Sequence, residues 1–148
     1  FKGLIGKINT NYPDYQVTLV GDLADYQNDI KSLEGVGLDF INTAGLTSIN
    51  EVVNLLYFSE LVVSHDSGIM HLANALNCNL IALYGPTDYT RTRPLGQKST
   101  VLYSKTSGFC KMYNFGGNEI DLHHQFPNCM DGITVKNVMD EVDKLIGE

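Results

Sequence analysis

Two stretches of this sequence, Leu61-Val62-Val63-Ser64 and Leu80-Ile81-Ala82-Leu83-Tyr84, are short, almost wholly apolar and bounded by polar turns, and they limit the fold more than any other feature. A strand with one face in water alternates polar and apolar side chains. A strand that does not alternate needs cover on both faces, which a parallel sheet between layers of helices supplies. Between the two runs, Ile69 to Leu76 reads as a helix. The same alternation holds upstream. Val17-Thr18-Leu19-Val20 reads as a strand ending at Gly21, and the acidic stretch Asp22 to Asp29 runs on into a helix up to about Leu33. Phe40-Ile41-Asn42 reads as the next strand and Ala44-Gly45-Leu46-Thr47 as a loop. Ser48 then takes the N-cap position with Glu51 at capping-box spacing, and the helix that follows, to Phe58, buries Val52, Val53, Leu55 and Leu56. Val101-Leu102-Tyr103 supplies a fifth strand, and Ile133 to Ile146 a last helix with Val135, Val138, Met139, Val142 and Leu145 on one stripe. The expected class is α/β, an open parallel sheet flanked by helices, in which ligands bind at the carboxyl ends of the strands.

A chain of 148 residues is the size of a single domain, and a hydrophobic fraction of 43% with 18% charged residues places it among chains that fold. A net charge of −7 provides no footprint for nucleic acid or an anionic membrane, so a phosphate-bearing ligand must be held by local backbone donors. Cys78, Cys110 and Cys129 stand in no metal-ligand spacing and fit a reducing compartment, and no apolar run is long enough to span a bilayer. Residues Phe1 to Asn9 carry Leu4, Ile5 and Ile8 at helical spacing before a turn at Asn11-Tyr12-Pro13-Asp14, so the chain opens inside an element. With no initial Met, the expectation is a piece of a longer protein. Ser104 to Asn128 has no period and reads as a loop.

The notable polar clusters fall just after strands. In Ser64-His65-Asp66-Ser67-Gly68-Ile69-Met70-His71, Ser67 and Gly68 sit where a helix start exposes unpaired N–H groups, and their small size lets a phosphate oxygen approach the backbone. His71, on the first helical turn, can reach back to the same anion. Spacing alone leaves an alternative level with this one: Asp66 or Ser67 caps the helix and His71 is an ordinary helix residue. The second cluster, Gly85-Pro86-Thr87-Asp88, supports the first from the next strand end, although by itself it reads as a turn.

Taken together, Leu61 through Ala73 and Ile81 through Asp88 resemble the signature of glycosyltransferase family 9, the ADP-heptose:lipopolysaccharide heptosyltransferases. Ile41-Asn42-Thr43-Ala44-Gly45-Leu46-Thr47-Ser48-Ile49, and Cys129-Met130 with Ile133-Thr134, look like further segments of that family. The resemblance implies a cytoplasmic bacterial enzyme of two Rossmann-like halves, the GT-B arrangement, acting at the inner face of the inner membrane. Residues 1–148 correspond to the C-terminal, nucleotide-sugar-binding half. It implies that Asp66 faces the donor sugar, that Ser67, Gly68 and His71 hold the diphosphate, that Asp25 holds the ribose, and that Gly45, Leu46 and Thr47 lie against the base. Taken alone, Asp25 reads as well as an acid at a helix N-terminus.

The resemblance also implies what this chain lacks. The catalytic base belongs to the N-terminal acceptor half, so no catalytic residue is expected here, and the fragment alone is expected to be inactive. The first strand and its phosphate loop are expected to be missing, which would expose strand edges and favour self-association. No cofactor or metal is required, because backbone donors and His71 serve the leaving diphosphate. A metal site at Cys110, His123, His124 and Cys129 lacks two close ligand pairs. The partners implied are an ADP-linked sugar, with heptose as donor sugar, and a lipopolysaccharide or related glycan acceptor, with no nucleic acid. A non-catalytic nucleotide-binding module and an unrelated α/β enzyme using Asp66, His71 and Ser67 stand as alternatives, although Ser67 lacks the glycine two residues before it that a nucleophile elbow needs.

Overall fold

The computed structural model describes residues 1–85, 87–104 and 130–147, and these divide into two compact units, residues 1–55 and 56–148. Among the described residues no helix is long and apolar enough to cross a membrane.

The first unit begins with helix α1 (Lys2–Asn11), which buries Leu4 and Ile5. Its last turn is tied to the chain ahead of the second strand, because the Asn9 amide donates to the Asp39 carbonyl at 2.9 Å and accepts from the Asp39 N–H at 3.0 Å. Strand β1 (Thr18–Leu19) runs parallel to β2 (Ile41–Asn42), with Thr18 opposite Ile41 and Leu19 opposite Asn42. Both strands are shorter than their apolar runs. The helix expected from Asp22 to Leu33 is two pieces, α2 (Leu23–Asn28) and one 3-10 turn (Ile30–Leu33), broken at Asp29. Nothing apolar in α2 is buried, so packing does not carry the helix through the break, whereas Ile30 beyond it is buried.

Helix α3 (Ile49–Tyr57) starts where the capping box predicts. The Ser48 N–H and hydroxyl donate to Glu51 at 2.8 and 2.7 Å. The Ser48 hydroxyl first, and its backbone N–H second, hold the Glu51 carboxyl below the usual carboxylate range, so this cap is complete at neutral pH and is lost as pH falls through the lowered value.

The second unit holds three parallel strands in the order β3 (Val62–His65), β4 (Leu80–Tyr84) and β5 (Ser99–Tyr103). The central strand is buried at all five positions, as its unbroken apolar run requires. Helix α4 (Gly68–Ala75) packs on β3 and β4 and buries Met70 and Ala73. A short helix α5 (Tyr89–Thr92) follows β4, in a segment where the sequence offers only a turn. Helix α6 (Val135–Ile146) packs against β5 with Val138, Met139 and Val142 buried, while Val135, expected on the same stripe, is exposed at its first position. Thr134 caps it, accepting from the Asn137 N–H at 3.2 Å, so the helix begins two residues later than the apolar pattern suggests. Cys78 is buried, as expected of a small core residue; its thiol faces the Leu56 carbonyl at 3.1 Å, and burial pushes its pKa up. The expected loop from residue 105 onward, with Cys110, His123, His124 and Cys129, lies outside the described residues, as does Pro86.

Candidate functional site

The turn from β3 into α4 is built from small polar residues, and its geometry settles the question of capping. Ser67 is the N-cap by position, with extended backbone, but its side chain makes no capping hydrogen bond. The Ser67 hydroxyl instead lies 3.2 Å from that of Ser64, which donates to the His65 carbonyl at 2.9 Å. The first-turn N–H groups of α4 are therefore left without the side-chain partner that a serine N-cap ordinarily supplies. A Cβ placed on Gly68 would meet nothing within 4 Å, so no other residue packs against the side of this helix start at that position. Unpaired N–H donors at a helix start beside a strand end are what an anion-binding site requires.

Asp66 flanks this opening. Its side chain is only 14% exposed, which costs free energy for a carboxylate unless hydrogen bonds replace the lost water. One oxygen, Oδ2, accepts from the Thr92 hydroxyl of α5 at 2.9 Å; the other, Oδ1, lies 4.0 Å from Nε2 of His71, whose own side chain is 55% exposed. Beneath them the fully buried Tyr84 donates to the Met70 sulfur at 3.2 Å. Burial above all, and then the Asp66 carboxylate, push the Tyr84 phenol above its ordinary pKa, so it stays a neutral donor. Asp66, Ser67, Gly68 and His71 thus stand together at the start of α4. Thr92 and Tyr84 are the residues that sequence reasoning missed. Thr92 sits 26 positions from Asp66 in a segment without apolar period, and no spacing rule links the two.

In the first unit, Gly21, Asp25 and the loop Thr43–Thr47 form a second group at the carboxyl ends of β1 and β2. Asp25 is part of a capping box: its carboxylate accepts from the Asp22 N–H at 2.9 Å, while Asp22 accepts from the Asp25 N–H at 2.8 Å. The helix-start reading of Asp25 is therefore real, and the exposed carboxylate also lies over Gly21, where an added Cβ would come within 2.7 Å of Asp25 Oδ2. Gly45 donates its N–H to the Gly21 carbonyl at 3.0 Å. It has φ +72°, and a Cβ there would stand 3.1 Å from the Leu23 backbone, so both conformation and contact demand glycine. Next to it Leu46 is 77% exposed, and the Thr47 hydroxyl donates to the Thr43 carbonyl at 3.2 Å.

Of the third cluster, Gly85 and Thr87 are half-buried after β4, and Asp88 caps α5, accepting from the Thr90 N–H at 3.0 Å and its hydroxyl at 2.7 Å. Among the described residues no three His, Cys, Asp or Glu side chains gather as a metal site would need.

The model of glycosyltransferase family 9 (heptosyltransferase) matches residues 1–113. The chain belongs to glycosyltransferase family 9. Among family relatives, it is 33% identical over 136 residues to lipopolysaccharide heptosyltransferase 2 of Escherichia coli K12, a match over 89% of this chain and 37% of that protein. The lipopolysaccharide heptosyltransferase 2 of Salmonella typhimurium is also 33% identical, over 90% of this chain and 38% of that one. The solved structure of E. coli ADP-heptose lps heptosyltransferase II superimposes with a TM-score of 0.74 at 30% identity, over 97% of this chain and 39% of the other. A family 9 glycosyl transferase from Veillonella parvula has the same fold, with a TM-score of 0.75 at 18% identity over 98% of this chain and 40% of the other. This member of the family thus spans well under half the length of these relatives, 37–40%, and within that span it has their fold, that of the GT-B heptosyltransferases.

Proposed function

We propose that this chain is the donor-binding domain of an inverting glycosyltransferase that transfers heptose from ADP-heptose to a lipopolysaccharide or related glycan acceptor. The observation that carries the reading is the N-terminus of α4, left uncapped by the Ser67 side chain and flanked by Asp66 and His71 at the carboxyl end of β3. It suits a diphosphate, whose oxygens take up the Gly68, Ile69 and Met70 N–H groups while His71 adds a hydrogen bond or a charge. Asp66 faces the sugar. Asp25 receives the ribose hydroxyls, with the Oδ1 oxygen its cap leaves over, and Gly45, Leu46 and Thr47 border the base.

In this mechanism an acceptor hydroxyl, deprotonated by a base outside this chain, attacks the anomeric carbon as the bond to the diphosphate breaks. The α4 donors stabilise the charge growing on the leaving group, so that no metal ion is called for at this step. The domain works in the cytoplasm at the inner face of the inner membrane. Among the described residues the sheets β1-β2 and β3-β4-β5 end in strands with one hydrogen-bonded neighbour, and such edges favour self-association.

Calorimetric titration of ADP, ADP-heptose and UDP into the chain tests the reading. The expected result is binding of ADP over UDP, with ADP affinity falling about tenfold in Asp25→Ala and the gain from the heptose lost in Asp66→Ala. Equal affinity for ADP and UDP, or ADP binding indifferent to Asp25→Ala, would contradict the nucleotide assignment.

A further inference from the structure

We propose that Thr92 is the positioning residue for Asp66, setting the carboxylate plane that the donor sugar meets. The inference rests on the donor-site reading of Asp66 and extends it to a residue 26 positions away on another element. An aspartate's terminal torsion is broad and nearly two-fold, so an untethered carboxylate swings and exchanges its oxygens. Here the Thr92 hydroxyl donates to Oδ2 at 2.9 Å and stops that motion, leaving Oδ1 on the side of His71, 4.0 Å from its Nε2.

The donor is itself held in place. Thr92 is β-branched and stiff at χ1, and α5 is fixed at its start and along its side. At its start Asp88 takes both the N–H and the hydroxyl of Thr90, at 3.0 and 2.7 Å. On its side the Tyr89 ring stacks on Tyr103 of β5, centroids 4.3 Å apart and planes within 17°. The edge of Tyr84 closes on the same ring, at 6.3 Å between centroids. A four-residue helix buries none of its own side chains. These contacts are what keep it where its last residue can hold Asp66. The arrangement is that of a rigid support behind a ligand-facing group, in which a misdirected carboxylate loses the sugar without losing the nucleotide.

The test separates those two losses. ADP and ADP-heptose are titrated into the unsubstituted chain, Thr92→Val, Thr92→Ser, Asp66→Asn and the double variant Thr92→Val/Asp66→Asn. Thr92→Val should cut the affinity for ADP-heptose about tenfold and leave that for ADP unchanged. Thr92→Ser, which keeps the hydroxyl, should restore it, and the double variant should be no worse than Asp66→Asn alone. A Thr92→Val chain that keeps its full preference for ADP-heptose overturns the positioning role, as do equal losses for both ligands, which would mean a general structural effect. If the unsubstituted chain binds ADP-heptose no better than ADP, or binds neither, the donor-site reading itself fails and Thr92 has no sugar to position.

Discussion

Replacing Gly68 with valine should cost about 100-fold in ADP affinity while leaving the melting temperature within about 2 °C of the parent's. The pairing of a large functional loss with no structural loss is what makes the substitution informative. Gly68 does not need its glycine for the fold: a Cβ there touches nothing within 4 Å and its φ lies outside the left-handed region, so neither a Cβ clash nor the backbone opposes valine at the first helical position. A branched side chain beside the α4 start would push a diphosphate off one or two N–H donors, each worth about 1.5–3 kcal/mol when its partner is charged. Thermal denaturation and ADP titration on the same preparation check both halves. Unchanged affinity would mean that the phosphates sit elsewhere, and a fall in melting temperature of many degrees would mean that the loss is structural.

Tyr84→Ala should be the most destabilising single change in the second unit, by about 3–5 kcal/mol in urea unfolding. Tyr84 is fully buried at the end of the central strand and lies under the site, against Met70 and beside the Thr92–Asp66 pair. Truncation removes a ring that neighbours on both sides pack against and cannot replace. Tyr84→Phe keeps the ring and should cost about 1 kcal/mol, the net worth of one buried hydrogen bond. The two proteins should also differ in alkali. Because burial and the Asp66 carboxylate raise the phenol's pKa in the folded state, folding keeps its proton on where the unfolded chain would release it. The stability this contributes is full below about pH 10, the unfolded value, and is lost as pH rises through the raised folded value. Between pH 8 and pH 11 the parent should therefore lose more stability than Tyr84→Phe, whose other tyrosines titrate alike; equal losses would show that the hydroxyl is not held in this way.

Much of the fold was legible where one residue type can satisfy only one environment. Leu80 to Tyr84 has no polar alternation and is buried throughout, and the Ser48 and Glu51 pair announces the start of α3. The cluster from Ser64 to His71 was legible because the chain gathers small and polar residues just where a buried strand must end. What the sequence could not decide was which of two uses a side chain serves. Ser67 stands at an N-cap and does not cap, because its hydroxyl turns to Ser64 instead. Asp25 was open between a helix cap and a ligand acid, and one of its oxygens does cap. Helix α5 and the bond from Thr92 to Asp66 lay beyond reach for a different reason. A four-residue helix held by a cap and a ring stack has no apolar period to read, and its contact with Asp66 exists only once β3 and β4 lie side by side.

The measurement that bears most directly on the account is the change in backbone amide shifts of the chain when ADP is added, followed by heteronuclear NMR on the uniformly labelled protein. If the diphosphate sits on the start of α4, the largest changes fall on the Gly68, Ile69 and Met70 amides, with His71 beside them, and they saturate together. Saturating changes confined to other parts of the chain, such as the groove lined by Tyr57, Phe58, Asn77 and Lys98, or no changes at all, would contradict the account.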